Sequence, residues 1–129
     1  MIVVLARIDR RQDVPPEYGP RAARMQEIVQ GMPGFLGSKV YAAADGEQLS
    51  VWRFASEDAL EAWRTHPEHL ESQEFGRESV FEYYWGQICR VMRQYEFKRG
   101  EGRREIPADD PWWPAYSEDR AEYRAEAID

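Results

Sequence analysis

The chain has one cysteine, two histidines and no asparagine among its 129 residues. A lone Cys89 excludes an internal disulfide and a cysteine-built metal cage. It sits in the alternating run Gln87-Ile-Cys-Arg-Val-Met, where the thiol is expected to pack as a small hydrophobe in a buried strand. Two histidines fall short of a metal site, which needs at least a third protein ligand, so no metal is expected. An excess of basic charge is also missing: Lys+Arg number 17 against 24 Asp+Glu, a net charge of -7. Nucleic acid and acidic membrane surfaces, which need a concentrated basic face, are therefore unsuitable partners. Long apolar runs are absent as well. The opening Ile2 to Ala6 follows no basic region and is too short for a signal peptide or a membrane span, so a cytoplasmic location is expected.

What remains is globular usage, 43% hydrophobic and 13% aromatic, at a length that suits one domain and a tail. Ile2 to Ile8 is rich in branched residues and reads as a central strand. Pro15, Pro16, Gly19 and Pro20 end it, and Ala22, Met25, Ile28 and Val29 then recur at helical period over Arg21 to Gln30. Gly31-Met-Pro-Gly34 stops that helix. Strands at Phe35 to Ala43 and Gln48 to Phe54 flank Asp45-Gly46, a strong hairpin signal. Ser56 caps a second helix, which restarts at Thr65-His-Pro-Glu68 in a capping-box pattern and runs to about Phe81. A long last strand is expected over Tyr83 to Phe97.

Strand, helix, strand, strand, helix, strand is the order of an α+β, ferredoxin-like split unit with an antiparallel sheet and both helices on one face. Trp52, Phe54, Tyr84 and Trp85 are many aromatics for an open sheet, and the simplest cover is a second copy of the chain. Residues 1–97 thus form the domain. Residues 98–129 start as a charged, glycine-rich linker and continue into Trp112-Trp113, expected to dock, and a short capped helix over Ser117 to Ala127.

Trp63-Arg-Thr-His66-Pro-Glu-His69-Leu-Glu-Ser-Gln73 holds both histidines at helical spacing beside an indole and an amide. Trp63, His66, Leu70 and Gln73 are expected to face one cavity, with His69 beside them. A histidine in the first turn of a helix is kept neutral by the positive dipole end, which suits a base or a ligand and equally a surface residue beside a cap. Arg7, on an otherwise aliphatic strand, could steady an anion in the cavity or lie in solvent at a strand end. Tyr41, Trp52, Gln73, Tyr83 and Tyr84 complete the expected lining, which suits a flat apolar ligand as well as it suits a plain core.

Residues 1 to 97 resemble the antibiotic biosynthesis monooxygenase domain of the dimeric α+β barrel superfamily, through Gly31-Met-Pro-Gly-Phe-Leu-Gly37, Asp45-Gly46, Val51-Trp-Arg-Phe54, Ser56-Glu57 and Ala62-Trp63 through Gln73. The resemblance implies a homodimer with one pocket per subunit between sheet and second helix. It implies a monooxygenase in secondary metabolism, acting without a cofactor on a hydrophobic, polyketide-like aromatic. His66 or His69 would be the base, with Trp63, Arg7 and Gln73 steadying the anion. Haem-degrading members use an asparagine late in the first strand, a tryptophan on the second helix and a histidine ten positions later. Here only Trp63 matches: Arg7 lies at the first position and Gln73 at the last. Haem would then need His66 or His69 as axial ligand. A binding protein without turnover is the third reading.

Overall fold

The computed structural model describes residues 1–112. In chain order they form β1 (Ile2–Arg10), α1 (Tyr18–Gln30), β2 (Phe35–Ala42), β3 (Gln48–Phe54), α2 (Glu57–Arg64), α3 (Pro67–Ser79), β4 (Phe81–Arg90), β5 (Gln94–Lys98) and β6 (Gly102–Ile106). β1 to β4 build one antiparallel sheet in the order β2-β3-β1-β4, the ferredoxin-like arrangement expected from the sequence. β1 is central because its branched residues can be covered on both edges: Val4 pairs with Trp52 of β3 on one side and Ile88 of β4 on the other.

Side chains alternate across a strand, so this register sorts the sheet into two faces. Ile2 and Val4 share one face with Phe54 and Trp52, and α1 and α2 close over it through Val29, Met25, Ile28, Leu60 and Trp63. This core is packed at the Ile2 end of β1. Toward Ala6 and Ile8 it thins out, and Ile8 is exposed.

Local chemistry fixes the helices around that core. α1 begins three residues before Arg21 because Pro20 falls in its first turn, where the missing N–H has no helical partner to lose. Gly34 takes φ +84°, and a Cβ there would come within 2.6 Å of the Ala59 Cβ, so only glycine lets the turn meet α2. Its carbonyl accepts from Ala55 N–H at 2.7 Å, tying the turn to the end of β3. Ser56 caps α2 by accepting from Ala59 N–H at 3.1 Å. The restart after α2 departs from the expected capping box. Thr65 ends α2, its hydroxyl donating to the Glu61 carbonyl, and His66 is the N-cap of α3 with Pro67 behind it.

The opposite face carries Val3, Leu5 and Arg7 of β1 beside Val51 and Trp85, their register neighbours. Of the four aromatics expected on an open sheet face, only Trp85 lies there. Trp52, Phe54 and Tyr84 pair with Val4, Ile2 and Ile8 and so turn to the helices. Cys89 is exposed rather than buried, because β4 is an edge strand and, among the described residues, no element covers this side of it.

β4 stops at Arg90 because β1 offers no further residue to pair, the last ladder bond running from Val91 N–H to the Met1 carbonyl. The strand expected to reach Phe97 is therefore broken. The charged stretch read as a linker folds instead into a β5–β6 hairpin, turned at Gly100 and Gly102, both at positive φ. The carboxamide of buried Gln94 donates to the Pro107 and Asp110 carbonyls at 2.6 and 2.9 Å and pins the following turn. Arg93 and Arg103 hold the Glu105 carboxyl down at about 2. Trp113 and the helix expected over Ser117 to Ala127 lie outside the described residues.

Candidate active site

Where the core thins, a cavity of about 390 Å³ opens between the helix side of the sheet and α2 and α3. Its floor is small. Ala6 and Gly86 are register partners on β1 and β4, and a Cβ placed on Gly86 would meet nothing closer than the Leu5 carbonyl at 3.8 Å. Trp52, Phe54 and Trp63 form the wall toward the core, and Phe81 and Tyr84, packed edge-on at 5.6 Å, form the far end. Gly76 allows α3 to approach that end, since a Cβ there would fall 2.2 Å from the Phe81 ring.

The polar wall comes from α3. His69, Gln73 and Arg77 recur every four residues, which places them on one helix face, and all three line the cavity with Arg64 of α2. His69 lies flat on the Trp63 indole, centroids 4.1 Å apart and planes 15° from parallel. Its Nδ1 is 3.0 Å from the Trp63 carbonyl oxygen. A carbonyl can only accept, so Nδ1 carries the proton and Nε2 keeps the lone pair. Burial pushes the imidazole pKa down from 6.5, with backbone carbonyls of Trp63 and Arg64 opposing and the nearby His66 adding to the fall. A partly buried, neutral imidazole with one free lone pair is what a general base needs at neutral pH.

Among the residues expected at a site, His69, Trp63, Gln73, Trp52 and Tyr84 meet at this cavity. The other four do not. His66 is turned into the helix start, where its Nδ1 accepts from Glu68 N–H at 3.2 Å. Arg7 follows the strand alternation: Ala6 and Ile8 face the cavity, so Arg7 faces the open side and pairs there with Asp9 at 3.1 Å and Glu47 at 2.9 Å. Tyr41 and Tyr83 sit opposite Leu49 and Asp9 on that same side. Leu70 is exposed. Sequence reasoning missed Arg64, Arg77 and the Ala6–Gly86 floor. Extending the four-residue step from His69 through Gln73 would have found Arg77.

Fold and cavity together define a small α+β ferredoxin-like domain with one hollow between sheet and helices. The sequence model described as antibiotic biosynthesis monooxygenase matches residues 1–74, and the chain belongs to that family. An uncharacterized protein, YqjZ of Bacillus subtilis (strain 168), is 38% identical over 81 residues, 63% of this chain and 71% of the relative. Among solved structures, SnoaB, a cofactor-independent oxygenase from Streptomyces nogalater, superposes with a TM-score of 0.57 at 15% identity, over 72% of this chain and 94% of that one. A dimeric ferredoxin-like protein of unknown function from Thermobifida fusca gives 0.51 at 15% identity, over 68% and 88%. At these identities the structures speak for the fold alone. No helix among the described residues is long and apolar enough to cross a membrane.

Proposed function

We propose that the chain is a homodimeric, cofactor-independent monooxygenase that takes a flat, hydrophobic, polyketide-like aromatic molecule into the cavity under α3. The observation that carries this reading is the His69 imidazole, which lines the cavity with Nδ1–H donated to the Trp63 carbonyl, so that the neutral ring keeps its lone pair on Nε2. His69 is the base: Nε2 removes a proton from an activated ring CH₂ or phenol, as general bases of matched pKa do. The carbanion so formed reduces dioxygen. One oxygen atom stays as the new carbonyl and the other leaves as water, so a CH₂ becomes C=O with no other reductant. Trp52 and Trp63 wall the ring system on the core side, and the Gln73 amide offsets the negative charge that develops. The SnoaB fold likeness supports the absence of a cofactor, and the dimeric Thermobifida fusca neighbour supports a second copy. Oxygen uptake on anthrone substrates with a chelator present tests the reading, since turnover should persist with chelator and fall in His69→Gln.

The haem reading narrows to His69, because His66 does not face the cavity. A Soret band on hemin addition that disappears in His69→Ala would favour it over the cofactor-free route. Absence of any band would remove it.

A further inference from the structure

The cavity's charge points to the charge of its ligand. The chain holds 24 Asp+Glu against 17 Lys+Arg, yet among the described residues no carboxylate lines the cavity, while two guanidiniums, Arg64 and Arg77, do. Arg64 is neutralised locally, bidentate on Glu61 at 2.6 and 2.9 Å. Arg77 is different. Among the described residues no carboxylate, hydroxyl or ring engages it, although Glu74 stands one helical turn before it and Glu78 next to it. Arginines of α1 do take the acids of α3: Arg24 pairs with Glu68 at 3.2 Å and Arg21 approaches Glu71 at 3.8 Å. The helix dipole alone favours a cation in the last turn of α3. It does not account for the lack of acids among the described lining residues of so acidic a chain.

We infer that the cavity selects an aromatic acid, whose carboxylate is held by the Arg77 guanidinium with the Gln73 amide as second donor, while its rings lie over Ala6 and Gly86. This rests on the reading that the cavity takes an aromatic small molecule. A guanidinium reads a carboxylate through two parallel N–H donors, and the exposed Arg77 side chain is accessible to one. The anion would sit two helical turns from His69, leaving the ring carbons beside Nε2.

Anthraquinone-2-carboxylate and the neutral 2-(hydroxymethyl)anthraquinone share one ring system and test this with the full chain, by calorimetry and by quenching of tryptophan fluorescence. The carboxylate should bind at least about tenfold tighter, with the gap narrowing as salt is added. Arg77→Gln should abolish the gap and move the neutral compound's Kd less than about twofold, and Arg77→Lys should keep part of it. Equal affinities in the wild type, a gap indifferent to salt, or one that survives Arg77→Gln overturns the inference. The salt series uses wild-type protein, so it decides the matter even if a variant folds poorly. Binding of the neutral compound without a carboxylate preference refutes this inference alone. Failure of both compounds to bind refutes the aromatic cavity with it.

Discussion

His66 and His69 stand three residues apart and are committed to opposite tautomers. His66 accepts at Nδ1 from Glu68 N–H and caps α3, whereas His69 donates from Nδ1 to the Trp63 carbonyl. Their replacements should therefore separate. His69→Gln is expected to lower kcat/KM on an anthrone substrate by about 10²- to 10⁴-fold, the usual weight of a general base. His66→Ala should instead cost about 1 kcal/mol in urea unfolding, as lost caps do, and keep turnover. The lowered pKa of His69 also couples folding to pH. The folded imidazole holds its proton less tightly than the unfolded chain, whose value is 6.5. The stability it contributes is whole above 6.5 and is lost as pH falls through the folded value. Denaturant titrations from pH 7 downward should show that slope, flattened in His69→Gln. An equal slope in both proteins would mean that other groups carry it.

At the scale of elements, one break decides which residues meet. The sequence displayed the two helical pieces, the strands and the hairpin, because periodicity, Ser56 and Asp45-Gly46 are local signals. It did not display the phase between α2 and α3. Continuing one helix through Thr65 puts His66, Leu70 and Gln73 on one face, but the cap at His66 and Pro67 resets the rotation and brings His69, Gln73 and Arg77 inward. Likewise, strand alternation was legible, but which parity of β1 faced the helices was decided by long-range register, and that moved Arg7 outward. The floor was hidden because a glycine contributes by what it lacks. Gly86→Val fills the space above the sheet at a position with no close neighbour, and a branched residue suits a strand, so stability should hold or rise by a few tenths of a kcal/mol. Affinity for the anthraquinone probes should fall at least tenfold by calorimetry; unchanged affinity would place the ligand elsewhere. Gly76→Ala is the contrasting case. Helix propensity returns at most about 1 kcal/mol, while a Cβ 2.2 Å from the Phe81 ring forces a repacking worth about 1 to 3 kcal/mol, so a net loss should appear in thermal unfolding.

For the whole molecule, the chain's own helices close the Ile2 end of one side of the sheet, and on the other side Val3, Leu5 and Trp85 stand half-buried around the buried Val51, the apolar strip against which a second copy would pack. Sedimentation should give twice 15.2 kDa, and Leu5→Glu should reduce it to a monomer without touching the cavity. A monomeric wild type would refute the pairing. The carboxy-terminal part offers a sharper test, because two truncations whose ends lie five residues apart, after Met92 and after Phe97, differ in what they cut. Removal of everything after Met92 leaves β1 to β4, α1 to α3 and the last ladder bond at Val91 intact. Removal after Phe97 divides the β5–β6 hairpin instead, leaving Gln94 without its carbonyl acceptors and Tyr95 and Phe97 on an unpaired strand. An orphaned polar group and an exposed aromatic edge both carry a cost. The shorter chain should therefore melt within a few degrees of the intact one and bind the probes, while the longer should melt lower and scatter light on heating. The reverse order would mean that the hairpin holds the domain together.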